Sequence, residues 1–277
     1  MSRFTHAIVS RIPNNVQLDA NHGRGLDLQK ARKEQEDFCL QLRNCGLDVM
    51  ELSPEESAPA SSIFLEDLAV VCNGTALITR PSRNTRRKEI AALLMELGLQ
   101  VFELNPDDVV STKDETKAML EGSDVLFTGR EFFVGINKTT NIQGAMEVAN
   151  TFPEFPVTPV RVNGNYHLKH FISLASPNVL AVGDSKEAQN ILKRIEREAT
   201  YRYQTLTLPN EEAVSCLSIN GTLLFRGDWD ECTAKFQSLK NGDLQLCPLY
   251  LPNLLQFGGL LSQQCILFRR IKLIKKI

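Results

Sequence analysis

The sequence predicts a single α/β domain over residues 1–277, made of five helix–strand–hairpin units that close into a ring. Three observations lead there. The same order of elements recurs roughly every 45–60 residues, the period of repeat architectures. Asn73-Gly74 and Asn220-Gly221 sit between apolar runs; Asn-Gly is the strongest short hairpin signal, and a tight turn demands antiparallel pairing. An open solenoid would need polar capping units at both ends, and neither end reads as one. The N-terminal strand Thr5–Ser10 is therefore free to pair with the last unit.

The elements follow in order. The first unit reads as a helix near 26–45, the strand Val49–Leu52 and a hairpin over 63–79. The second has a helix over 86–97 with Ile90, Leu93, Leu94 and Leu97 at helical spacing, the strand Val101–Leu104 and a hairpin over 124–136. The third runs 141–152, 157–162 and 168–182. The fourth runs 186–200, 205–208 and 214–225, and the fifth 229–239, 244–249 and 260–274. The strands are short and rich in Val, Ile, Phe and Leu.

Bulk properties bound the function. The 277 residues are 43% hydrophobic and 23% charged, enough for a sizeable core. A net charge of -2 offers no electrostatic reason to bind nucleic acid or an anionic membrane. No apolar run approaches the ~20 residues needed to cross a bilayer, and the first residues lack the apolar core of a secretory signal. The seven cysteines are scattered without a CxxC pair, which suggests neither a disulfide framework nor a zinc site. A cytoplasmic setting is expected. The basic tail Arg269–Ile277 suits a final edge strand with charges facing water, since lysines discourage edge-to-edge association; contact with a membrane or an acidic protein partner is the alternative.

Several words in the hairpins carry chemistry. They are Phe64-Leu65-Glu66-Asp67-Leu68, Leu77-Ile78-Thr79-Arg80-Pro81 followed by Arg86-Arg87-Lys88-Glu89, Asp124 to Gly135, His167-Leu168-Lys169, and Gly259-Leu260-Leu261-Ser262. Together they resemble the dimethylarginine dimethylaminohydrolases, members of the pentein or five-bladed α/β-propeller superfamily. The resemblance runs nearly the whole chain and is weakest between about Arg197 and Leu255. It implies a pseudo-fivefold fold around a central pocket. It also implies hydrolysis of N-ω-methylated arginine to citrulline and a methylamine or dimethylamine through a covalent cysteine intermediate, without cofactor or metal.

Such chemistry needs carboxylates to hold guanidinium N–H groups, a nucleophile for the central carbon and an acid for the leaving amine. By the resemblance, Asp67 holds the guanidinium and Glu66 makes polar contacts near it. Adjacent residues of a regular strand face opposite ways, so at most one of the two can do the holding. Glu121 matches a second acidic position and His167 the general acid/base. Arg86 matches an arginine for the substrate carboxylate, Leu18 lies in a segment corresponding to a lid, and Phe257 falls where relatives offer a backbone contact. His170 makes an HxxH with His167; on a strand the two would face opposite sides. No phosphate-cradling glycine loop is present.

The pattern breaks at the nucleophile. An ungapped reading puts Gln263 where relatives have cysteine, and a primary amide is a very poor nucleophile. Cys265 lies about 6.6 Å further along a strand on the same face, whereas reacting atoms must come within ~3–3.5 Å. Two readings stand: an active hydrolase using Cys265 and His167, and a catalytically silent relative that binds a guanidino ligand or a protein partner. Ser61 and Thr139 also replace the aspartate and arginine that hold the amino-acid end of the substrate in relatives, so the guanidinium end of the pocket is the better kept.

Overall fold

The computed structural model describes residues 3–17, 26–81, 86–104, 117–240 and 244–270. Along the chain run β1 (His6–Ser10), β2 (Asn15–Gln17), α1 (Leu28–Asn44), β3 (Asp48–Leu52) and β4 (Ser57–Pro59). Next come β5 (Ala69–Cys72), β6 (Thr75–Ile78), α2 (Arg87–Glu96) and β7 (Gln100–Glu103). A third group holds β8 (Val125–Phe127), β9 (Phe132–Ile136), α3 (Ile142–Thr151) and β10 (Val157–Arg161). The fourth holds α4 (Leu168–Phe171), β11 (Ile172–Ser176), β12 (Val179–Gly183), α5 (Lys186–Glu198) and β13 (Gln204–Leu208). Last are β14 (Leu217–Ile219), β15 (Thr222–Arg226), α6 (Asp230–Gln237), β16 (Gln245–Leu249) and β17 (Ile266–Phe268).

The chain is α/β, with five three-stranded sheets of one design. Their strand orders are β17-β1-β3, β5-β6-β7, β8-β9-β10, β11-β12-β13 and β14-β15-β16. Each pairs its first two strands antiparallel and its last two parallel. The parallel step needs a crossover, and a helix supplies it each time. The strand after each crossover helix therefore pairs with the middle strand of its sheet, which precedes that helix. The sheets are thus offset from the helix–strand–hairpin units expected above. Among the described residues no sheet closes on itself; β2 and β4 form a separate two-stranded ribbon.

Of the expected hairpin over 260–274, the described residues 260–270 hold one strand, β17, whose antiparallel partner is β1, so the first and last described strands share one sheet. Residues 271–277 lie outside the described residues. Asn73 and Asn220 have φ of 48° and 51°, followed by Gly74 and Gly221 at 81° and 90°, the left-handed pair that a type I′ turn requires. Asn220 does more than turn. Its Oδ1 accepts from the Phe4 amide at 2.9 Å, and its Nδ2 donates to the Phe4 and Cys45 carbonyls at 3.0 Å.

Apolar side chains gather into five clusters, each shared by two successive sheets. Ile8 and Phe268 meet Leu68 and Ile78; Val70 and Leu77 meet Phe132 and Val134. Phe133 and Val160 meet Leu180 and Val182; Ala181 and Leu208 meet Leu223 and Phe225. In the fifth cluster, Leu217, Leu224 and Leu249 of the last sheet pack on Ala7, Val9 and Phe38 near the chain start. Hydrophobic burial of ~25 cal/mol per Å² makes these shared faces the main adhesive between sheets.

Candidate functional site

Among the described residues, a larger and a smaller cavity open between the sheets. The larger, about 560 Å³, is lined by Asp67, Glu121, His167 and Gln263, with Ser61, Thr139 and Gly258 among its other walls. The smaller, about 320 Å³, is mostly apolar and holds Glu66, Lys169 and Cys265.

Backbone turns decide which side chain goes where. Residues Leu65–Leu68 form a 3₁₀ turn rather than the expected strand. In such a turn neighbouring side chains diverge by about 120°, and Asp67 enters the larger cavity while Glu66 enters the smaller. Ser262–Gln264 is a second 3₁₀ turn. It breaks the period-two pattern that put positions 263 and 265 on one face: Gln263 lines the larger cavity and Cys265 the smaller. Gly122, in a third such turn, lets these segments approach; a Cβ there would lie 1.8 Å from the Glu66 carbonyl oxygen. Gly122→Ala is expected to cost 1–3 kcal/mol or more, as overpacking against backbone does, read as a lower urea midpoint.

Asp67 is buried and its two oxygens are both engaged. Oδ1 accepts from the Ser123 amide at 3.2 Å and from the Ser123 hydroxyl. Oδ2 accepts from Gln263 Nε2 at 2.8 Å, while Gln263 Oε1 accepts from the Leu260 amide at 2.6 Å. Burial pushes the Asp67 carboxyl up from its ordinary pKa, opposed by the charge of His167 and the Ser123 bonds.

His167 stands before α4, with Nδ1 3.2 Å from Asp124 Oδ2 and Nε2 3.5 Å from Glu121 Oε2. Burial by itself would lower its pKa. The Asp124 hydrogen bond and the charges of Asp124, Asp67 and Glu121 prevail and raise it to about 9. The ring is thus an imidazolium at neutral pH, able to donate a proton but not to take one. A group whose folded pKa is raised stabilises fully below its unfolded value and loses that contribution as pH climbs through the folded one. The rising Asp67 pKa acts in the same sense. Stability is expected to fall between about pH 6.5 and 9, and His167→Gln should flatten that slope in melting curves taken across the range.

Asp124 was not singled out from the sequence. It is fully buried and accepts from Asn137 Nδ2 and the Leu168 amide at 2.9 Å, from Thr140 Oγ1 at 2.7 Å and from Thr139 Oγ1 at 3.2 Å, besides holding His167. In the sequence it is the first residue of the word Asp124–Gly135, with no role of its own assigned.

Other expectations change. His170 lines the same cavity as His167 because the segment is helical, where residues three apart are neighbours. Glu66 is paired with Lys169 at 2.6 Å and accepts from Ser262 Oγ at 2.7 Å, on the far side of the Asp67 turn. Cys265 is 2% exposed and packs in the cluster with Ile63 and Phe64. Burial, then the charge of Glu66, pushes its thiol well above the ordinary value. That is the opposite of an activated nucleophile. Arg86 is buried away from the cavity walls, bonded to Glu89 Oε2 at 2.7 Å and to the Ser53 carbonyl. Phe257, expected to offer a backbone contact, has its side chain in the core, and its neighbour Leu255 lines the cavity. Leu18 lies outside the described residues. Among the described residues no three His, Cys, Asp or Glu side chains converge to hold a metal ion.

The chain is similar to known proteins in sequence and in fold. The family model described as N,N dimethylarginine dimethylhydrolase, eukaryotic, matches residues 4–212. A human protein, "Putative hydrolase DDAH2", is 36% identical over 280 residues, which cover 96% of this chain and 95% of that one. The N(G),N(G)-dimethylarginine dimethylaminohydrolase of Pseudomonas aeruginosa is 25% identical over 85% of this chain and 89% of its own. Among solved structures, a Pseudomonas aeruginosa enzyme of that name, a Cys-to-Ser mutant complexed with citrulline, superposes with a TM-score of 0.76 at 20% identity, covering 96% and 100% of the two chains. An amidinotransferase from Microseira wollei superposes with a TM-score of 0.78 at 12% identity, over 99% and 96%.

Proposed function

Because this chain belongs to the N,N-dimethylarginine dimethylhydrolase family, we propose that its larger cavity receives the guanidinium group of a small molecule. Asp67 and Glu121 would accept its N–H groups, with His167 beside it as proton donor. The family reaction is hydrolysis of an N-ω-methylated arginine to citrulline and a methylamine or dimethylamine. The observation that carries the reading is the convergence of Asp67, Glu121 and His167 on one cavity. In it the carboxylates suit a planar cation and the imidazolium holds the proton a departing amine needs.

One further observation bears on turnover. Gln263, not a thiol, stands against Asp67, and Cys265 opens on the other cavity. It favours a second reading, a pocket that binds guanidino compounds without forming the covalent intermediate. In that reading the Gln263 amide supplies Asp67 with an N–H that a guanidinium would otherwise offer. A guanidine must displace it or add beside it.

The same proposal takes residues 1–277 as one domain, with the sheets as five blades around a central axis. The sharing of each core cluster by successive sheets, and of the fifth by the last and first, supports this. A cytoplasmic setting is supported by seven free thiols.

Calorimetric titration with butylguanidine tests binding. The expected result is saturable heat that Asp67→Asn weakens by ~10-fold or more, the loss of a charged hydrogen bond. Equal binding by the variant would overturn the assignment of Asp67. Incubation with dimethylarginine, read as citrulline, separates turnover from binding alone.

A further inference from the structure

The far end of the larger cavity has a charge of its own. Relatives, by the resemblance above, hold a substrate α-carboxylate with arginines. Here Thr139 lines the cavity at one of those positions, and its hydroxyl donates to Asp124. Arg86, at the other, is turned to Glu89 and Ser53. Arg226 does line the cavity, but it is engaged: Nη1 meets Glu212 Oε2 and Nε meets Asp228 Oδ2, each at 2.9 Å, and its guanidinium lies over the Trp229 ring. Lys138, near the rim, donates to Asn165 Oδ1 at 2.6 Å. His170 sits 3.5 Å from Glu211 and its pKa is lowered, chiefly by burial, so it adds no positive charge at neutral pH.

Acids and an open aromatic face make up the rest. Glu212 lines the cavity with most of its side chain in solvent. Tyr166 stacks one face on His170, with centroids 4.2 Å apart, and is itself exposed. Arg226 is shared by two acids, Glu212 and Asp228, so one base offsets only half of their charge; a carboxylate there would meet the remaining negative charge and that of Glu211. An ammonium would meet a carboxylate oxygen and an aromatic face, both of which attract cations.

We propose that the ligand is a dication, an ω-guanidino-alkylamine without an α-carboxylate, whose ammonium is read by Glu212 and Tyr166. This rests on the guanidinium site proposed above. Length does not exclude it, since a cavity of about 560 Å³ has room for both ends.

Three probes separate the two ideas: guanidinobutylamine, butylguanidine and guanidinobutanoate, each titrated calorimetrically into the full chain at low salt. The amine should bind ~10-fold or more tighter than the carboxylate, with butylguanidine between them. In Glu212→Gln the gap between amine and butylguanidine should shrink to within roughly twofold, as the loss of a solvated charge contact implies. Thr139→Arg should move preference toward the carboxylate. If butylguanidine binds and the carboxylate equals or exceeds the amine, this inference fails and the guanidinium site survives. An amine preference undiminished in Glu212→Gln also overturns it. If none of the three binds, both ideas fall.

Discussion

Gln263→Cys is expected to give the protein an amine-releasing activity on methylated guanidines at least ~10²-fold above the unmodified chain, the scale on which loss of a nucleophile is felt in covalent catalysis. The position is already prepared. Gln263 touches Asp67 at 2.8 Å, on the wall shared with Glu121 and His167. A thiol there would face an imidazolium, whose charge favours the thiolate, and a bound guanidinium would add a second positive charge. Attack on the central carbon would form a C–S bond, and breaking the C–N bond would send the amine out with a proton from His167. Water would then release the urea product and free the sulfur. The check is methylamine release, together with the mass of a haloacetamidine adduct on the introduced thiol. The contrary result is specific: an unmodified protein as active as the variant, with activity abolished by Cys265→Ser. That would mean the buried thiol reaches the larger cavity after all.

Much of this is legible in the sequence. Hairpins turning at Asn73-Gly74 and Asn220-Gly221 could be read because a left-handed Asn-Gly pair has few other uses. The helices could be read from apolar spacing, as at Ile90, Leu93 and Leu94. The family words located Asp67, Glu121 and His167, which do share one cavity. What failed has one physical cause. Period-two reasoning assumes extended backbone, and the segments that matter most are 3₁₀ or helical turns: Leu65–Leu68, Ser262–Gln264 and Leu168–Phe171. Each one rotates side chains in a way that a strand would not. Hence Cys265 is placed on the wrong cavity by strand reasoning, and His170 away from the right one, while the separation of Glu66 from Asp67 holds for a different geometric reason. Asp124 escaped notice for another reason. Its importance lies in five donors gathered from separate segments, as far apart in sequence as Asn137 and Leu168, and no local spacing records that.

Those five donors make Asp124 the residue whose loss should be felt most in stability. Asp124→Ala would leave the Leu168 amide, the Thr140 hydroxyl and the His167 Nδ1 without this acceptor, while Asn137 Nδ2 and the Thr139 hydroxyl would keep only the Tyr166 carbonyl and Asn137 Oδ1. Unmatched buried donors cost about 1–3 kcal/mol each, and breaking a buried charged pair about 3–5 kcal/mol. Water entering the vacated space would offset part of this, so the expected loss is about 3–5 kcal/mol in urea unfolding. Stability alone would not distinguish Asp124 from any buried acid; the His167 titration does. With Asp124 gone, the leading force on the ring is burial, which favours the neutral form. The His167 pKa should then drop from about 9 toward its ordinary range in an NMR titration of the ring protons. Asp124→Asn supplies the control, since it keeps the volume, removes the charge and should lower the His167 pKa with a smaller loss of stability. A His167 pKa unmoved in both variants would mean that Glu121 and Asp67 hold the proton by themselves. The proton donor of the proposed site would then not depend on the acid that anchors its ring.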